Sequence, residues 1–382
     1  MANNLQSRIQ SIDLLRGAIM VLMAIDHVRV YSGLPSGSHE PALFFTRWVT
    51  HFCAPGFVFF TGVSAFLYGQ KVNNKNTLSR FLFSRGLLLV VLELTLIRFS
   101  WTFNVDYAAF TLAGVIWMIG WCMIFMSALS RLKPLTVGII GLAIILGQPL
   151  FSLVPQIFPT SFRPVFGRFW EFVYPSGLVG IPGINILYVW VPWIGVMAAG
   201  YGFGKVLMMD EQRRNKICWS VGIGATLLFI IIGSVMAARQ PDDADSMPFL
   251  LRLLNQRKYP ASALYLMMTL GPLIALIPFA EKVRGWLVNV LVVFGRVPMF
   301  YYMLHIPLIH ISALFVNLVM KGAMHGELYY TAPYTHFEDI SPWNLGVLYL
   351  VFVLDVIILY FACKWYAGYK QQHPENGWLK YI

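Results

Sequence analysis

Apolar residues run along this chain in long blocks, too long for alternating strands and too uniform for the one-sided stripe of a surface helix. Blocks long enough to cross a bilayer, which takes ~20 residues, cover positions 12–31, 52–70, 81–99, 110–130, 134–154, 186–208, 216–237, 260–280, 286–319 and 343–365. The ninth is too long for one straight helix. FGRVP at 294–298 breaks it, because Pro298 lacks an amide proton and its ring clashes with the preceding turn. That block reads either as two short spans or as one broken helix. The pattern predicts an all-α polytopic membrane protein of about ten transmembrane helices, one broken near Pro298, in a single domain over residues 1–382.

Composition agrees. Hydrophobic residues make up 58% and charged residues 12%, where soluble domains average about 25% charged. The net charge of +11 is dispersed among loops, which excludes a nucleic-acid surface and points to anionic lipid or an anionic cosubstrate. Every second connection is basic: Lys71, Lys75 and Arg80; Arg131 and Lys133; Lys205, Arg213, Arg214 and Lys216; Lys282 and Arg284; and the tail with Lys364, Lys370 and Lys380. The positive-inside rule places these loops and both termini in the cytoplasm, with block 286–319 crossing once. The 238–259 loop opposes this, since it carries Arg239, Arg252, Arg257 and Lys258 on what should be the outer side. Cys53, Cys122, Cys218 and Cys363 show no CxxC spacing and read as core residues, with no disulfide framework or metal site. The first block is too long and too charged for a cleaved signal peptide.

The first block holds the chemistry. Residues 11–31 read SIDLLRGAIMVLMAIDHVRVY and include Asp13, Arg16, Asp26 and His27. A charge at the bilayer centre costs roughly 2.5–3.5 kcal/mol on insertion scales, so such residues face a polar interior or a pathway. Arg16 and His27 are eleven positions apart, about 20° from alignment and ~16 Å along the axis of a helix. Asp13, Arg16, Met20, Met23 and His27 therefore form one stripe. Asp26 points ~100° away from His27 on a helix, so whether it orients the imidazole stays open. The bland alternative is a polar network joining the first span to its neighbours.

Other constellations are weaker. His39 and His51 flank the first outer loop and could meet His27. Arg296, Tyr301, Tyr302, His305 and His310 lie in FGRVPMFYYMLHIPLIH. His305 and His310 differ by about 140° around a helix, so one faces a cavity while the other packs. His305, after the tyrosine pair and before Pro307, is the better candidate. Glu93, Arg98 and Asp355 read as structural, with Glu93 pairing to Arg85, Arg98 or Arg16. GYGFGK at 200–205 follows a helix, which suits close helix packing better than a phosphate loop. Lys205 at its end could still touch a phosphate.

RIQSIDLLRGAIMVLMAIDHVRVYSG, then THFCAPGFVFFTGVSAFLYG, PWIGVMAAGYGFG and FGRVPMFYYMLHIPLIH, resemble the transmembrane acyltransferases related to heparan-alpha-glucosaminide N-acetyltransferase, in their bacterial, YeiB-like branch. The resemblance covers most of the chain in the same order. An arginine, ten residues and a histidine near the first span also mark the wider acyltransferase family 3, and Arg16 and His27 match that spacing. The resemblance implies a ten-helix core in the bacterial inner membrane. That core would take an acyl group, most simply acetyl, from cytoplasmic acyl-CoA and pass it to a carbohydrate-type acceptor at the opposite face.

By that analogy His27 is the base and Arg16 seats the donor or holds the first helix. His39 competes as the base, because the lysosomal enzyme's catalytic histidine falls near it. Asp26 and His305 join the catalytic set. Asp13, Arg296, Tyr301, Tyr302 and Lys205 are candidates for binding acyl-CoA, and Tyr301, Tyr302 or His305 for donating to the thioester oxygen. No permanently bound cofactor is expected beyond acyl-CoA as cosubstrate, and a homo-oligomer stays open. The rival is a transporter or flippase, but the two halves of the chain show no pseudo-repeat.

Overall fold

The structure, a computed structural model, describes residues 2–35, 40–108, 110–175, 183–239, 247–331 and 342–380. Among these it is all-α apart from one two-stranded parallel pair, β1 (Thr111–Ala113) with β2 (Ile184–Ile186). The helices are α1 (Ala2–Tyr31), α2 (Pro41–Trp48), α3 (Cys53–Val72), α4 (Lys75–Leu92), α5 (Arg98–Thr102), α6 (Val115–Leu129), α7 (Pro134–Gly147) and α8 (Val154–Ile157). They continue with α9 (Arg163–Val173), α10 (Trp193–Leu207), α11 (Glu211–Ala238), α12 (Phe249–Leu254), α13 (Ala263–Ala280), α14 (Trp286–Arg296), α15 (Pro298–Lys321) and α16 (Leu345–Gln372).

Six helical runs among the described residues are long and apolar enough to cross a membrane: Pro41–Val72, Pro134–Ile157, Glu211–Ala238, Ala263–Ala280, Pro298–Lys321 and Leu345–Gln372. The remaining apolar blocks fall short for physical reasons. α1 carries Asp13, Arg16, Asp26 and Arg29, and α4 carries Lys75, Arg80 and Arg85. α6, α10 and α14 are 15, 15 and 11 residues long.

Helix pairs close on glycines. In lipid there is little hydrophobic drive between helices, so small residues that let backbones touch supply the packing. A Cβ at Gly62 would strike the Met197 carbonyl, and one at Gly200 the Phe59 carbonyl, which locks α3 to α10. Gly86 and Gly120 do the same for α4 and α6, Gly141 and Gly195 for α7 and α10, and Gly222 and Gly271 for α11 and α13. The GYGFGK run is thus a packing surface, with Gly204 against the Phe66 ring.

The break near Pro298 is a reversal. Gly17 lies against Leu291 and Gly295 against Asp13, so α14 runs antiparallel to α1. Tyr301 meets Met20, His305 meets His27 and His310 meets Tyr31, so α15 runs parallel to it. Val297 turns the chain at φ −129°, ψ 52°, and Pro298 opens α15, where its missing N–H costs no bond. α15 alone is long enough to span, and α14 is an added short helix braced on α1.

Candidate active site

The polar stripe of α1 borders two cavities in sequence order. The first, of about 370 Å³, is lined by Arg16 and Met20 of α1. Arg85 of α4, Arg296 of α14 and Lys370 of α16 bring the cations among its described lining residues to four, and no carboxylate stands among them. The second, of about 270 Å³, is lined by Met23, Asp26, His27 and Arg29 of α1. Glu93, Arg47, Tyr188, Lys258 and Tyr259 add further polar groups there. Phe57, Val115 and Tyr302 border both. The stripe spacing puts Arg16 and His27 ~16 Å apart along the helix, and the two cavities are its two ends.

His27 is held by another histidine. Its Nδ1 lies 2.7 Å from Nε2 of His305, a fully buried residue of α15. His305 Nδ1 in turn lies 2.7 Å from the Tyr302 carbonyl and 3.2 Å from that of Tyr301. Carbonyls only accept, so His305 carries its proton on Nδ1 and offers the lone pair of Nε2. His27 must then donate from Nδ1, which leaves its Nε2 as the basic nitrogen. A base whose tautomer is fixed by a hydrogen bond on its other nitrogen is the arrangement general-base catalysis needs. The edge of Trp101 closes on the imidazole at 5.0 Å, and Trp101 lines the same cavity.

Asp26 does not orient His27. It takes two hydrogen bonds from Arg29, at 3.0 and 2.9 Å, and Arg29 also donates to the Leu34 carbonyl. Arg16 bonds to the Phe60 carbonyl at 3.3 Å and to the Ser64 hydroxyl, and it faces Asp13 at 3.4 Å. It pins α1 to α3 while lining the first cavity. Asp13 sits behind it, against Gly295.

The remaining candidates divide. Arg296 and Tyr302 line the cavities. Tyr301 is buried and gives its hydroxyl to the Met20 carbonyl at 3.1 Å, so it cannot offer that proton to a substrate oxygen. Lys205 is exposed at the end of α10, away from both linings. His310 stacks on Phe103 at 3.9 Å and meets the Ser100 carbonyl, so it packs, and His305, fully buried, is not among the lining residues of either cavity, so neither member of the α15 pair faces one. His51 is buried against Tyr265 outside both linings. His39 lies outside the described residues.

Arg29, Arg85, Lys370 and Lys258 line the cavities without having stood out in the sequence, and Glu93 is not the arginine partner its position suggested. Glu93 pairs with none of the expected arginines. It accepts from the backbone N–H groups of Gly114, Ile116 and Trp117 at the start of α6. Arg98 instead binds the carbonyls of Asn104, Asp106 and Phe110 and folds that loop over itself. A carboxylate inside an apolar block is the signal that could have singled Glu93 out.

Residues 8–238 match the family described as heparan-alpha-glucosaminide N-acetyltransferase, catalytic. The chain belongs to that family. The match begins just before the α1 stripe and takes in α1 to α11, so it contains Arg16, Asp26, His27 and Glu93. His305 and Arg296 of this acetyltransferase-family chain lie beyond it. A comparison with curated proteins finds no match.

Proposed function

We propose that the protein is an integral-membrane acyltransferase that carries an acetyl group from acyl-CoA to a hydroxyl or amine acceptor, of carbohydrate type, on the other side of the bilayer. The observation that carries this reading is the pair of cavities that share Phe57, Val115 and Tyr302, the first cationic and the second of mixed polar character and lined by His27. Membership of an acetyltransferase family favours chemistry over transport without covalent change.

In this reading the phosphates of acyl-CoA pair with Arg85, Arg296 and Lys370, as charge-assisted hydrogen bonds favour. The pantetheine arm follows the apolar wall of the first cavity past Arg16, and the thioester stops near Tyr302. The acceptor's O–H or N–H enters the second cavity. His27 Nε2 removes its proton as oxygen or nitrogen attacks the thioester carbonyl. The C–S bond breaks, the acceptor leaves acetylated, and the proton passes to the CoA thiolate. Tyr302 is the candidate donor to the carbonyl oxygen as it gains charge.

The topology that fits is ten crossings: α1, α3, α4, α6, α7, α10, α11, α13, α15 and α16. The antiparallel packing of α4 on α6, α7 on α10 and α11 on α13, with α15 parallel to α1, supports it. Both termini and the cationic cavity then face the cytoplasm of a bacterial inner membrane, where acyl-CoA is made. Purified protein in detergent should bind acetyl-CoA and hydrolyse it slowly. Absence of binding at any concentration up to millimolar would overturn the enzyme reading.

A further inference from the structure

The second cavity holds a buried carboxylate that the transfer step leaves unused. Glu93 is 1% exposed and lines this cavity together with His27. Burying a carboxylate is costly unless its lone pairs are filled. One oxygen is filled by the N–H groups of Gly114, Ile116 and Trp117, whereas Oε2 is buried without a hydrogen-bond partner among the described residues.

Two features of the chain hold it there. Glu93 opens a π-turn, Glu93–Ile97, inside an otherwise α-helical run, and single π-turns gather at functional sites because they re-aim side chains at a cost in helix geometry. Gly114 faces it. Its φ of −90° and ψ of −160° are open to any residue, so the backbone does not demand glycine. The space does, because a Cβ at Gly114 would overlap the Glu93 carboxylate.

We infer that Glu93 is an acceptor-binding residue, its Oε2 taking a hydrogen bond from a hydroxyl or amine of the acceptor and anchoring it in the His27 cavity. The inference rests on the acetyl-transfer reading above and narrows it: the acceptor must present a hydrogen-bond donor besides the atom that is acylated, as a polyol or amino sugar does. Glu93→Gln keeps the oxygen that caps α6 and puts an NH2 where the acceptor's proton should point. Gly114→Ala leaves the carboxylate intact and displaces it.

The test uses purified wild type and both variants, with radiolabelled acetyl-CoA as donor and methyl α-glucosaminide as probe acceptor. Glu93→Gln should raise the KM for the glucosaminide by about tenfold or more, the scale of one lost buried hydrogen bond. Its binding of acetyl-CoA should stay at the wild-type level, a split that a merely structural role would not give. Gly114→Ala should reproduce the split, and it decides the matter should Glu93→Gln fail to bind acetyl-CoA. An unchanged KM in the variant that binds acetyl-CoA would overturn the inference, as would a wild type that hydrolyses acetyl-CoA but acetylates no glucosaminide. A wild type with no acetyl-CoA turnover overturns the transfer reading beneath it instead.

Discussion

His27 owes its usefulness to a chain of hydrogen bonds that ends on a carbonyl. Because the Tyr302 carbonyl can only accept, the proton order along His305 and His27 is fixed, and the basic nitrogen is delivered on one side of the ring. In the proposed reaction His305 is thus a positioning residue. Replacing it with Phe should keep acetyl-CoA binding and cut the turnover rate, because His27 then samples both tautomers and other rotamers. His305→Gln, whose amide oxygen can still accept from Nδ1, should recover part of the rate. Measured kcat for the two variants checks this, and equal rates in Phe and Gln would remove His305 from the mechanism. The sequence exposed His305 through its place between a tyrosine pair and Pro307. It could not show that the partner of His27 lies 278 positions away, nor that its neighbour Asp26 is taken by Arg29. One helical step turns a neighbour about 100° aside, so adjacency in sequence is a poor guide to contact here.

At the scale of elements, the site depends on where α1 is pinned. Arg16 ties it to α3, and Gly17 and Gly295 let α14 press backbone to backbone against it. Gly17→Val should push α14 off α1, destabilise the fold by about 1–3 kcal/mol or more as overpacking does, and disturb Arg296 in the first cavity. A lower thermal midpoint together with weaker acetyl-CoA binding is the expected result; a wild-type midpoint would contradict the packing. Helix positions were legible from apolar blocks because lipid demands them. The reversal at Val297–Pro298 was legible only as a break. A proline reports that a helix stops, but the direction taken afterwards depends on contacts such as Tyr301 with Met20, which no local pattern encodes.

For the molecule as a whole, what matters is the polarity of its two cavities. Four cations surround one and a mixed polar set the other, with Phe57, Val115 and Tyr302 between. Arg296→Gln should raise the Kd for acetyl-CoA by about 10–100-fold, the worth of a hydrogen bond to a charged group, and leave the KM for the acceptor unchanged. Titration with acetyl-CoA checks it, and an unchanged Kd would move the phosphates elsewhere. The α1 stripe was readable in the sequence since two cavities stacked along one helix leave a helical period. Lys370, Arg85 and Lys258 were not, because they reach the cavities from α16, α4 and the loop before α13, whose approach to α1 no local pattern encodes. Central to the proposed mechanism is His27, in the second cavity, as the base. The decisive measurement is acetyl-CoA turnover by His27→Ala and His39→Ala, each with acetyl-CoA binding recorded in the same preparation. Binding should be unchanged in both, with turnover falling by about 10²–10⁴-fold in His27→Ala alone, as for loss of a general base. Wild-type turnover in His27→Ala, with the loss in His39→Ala, would contradict it.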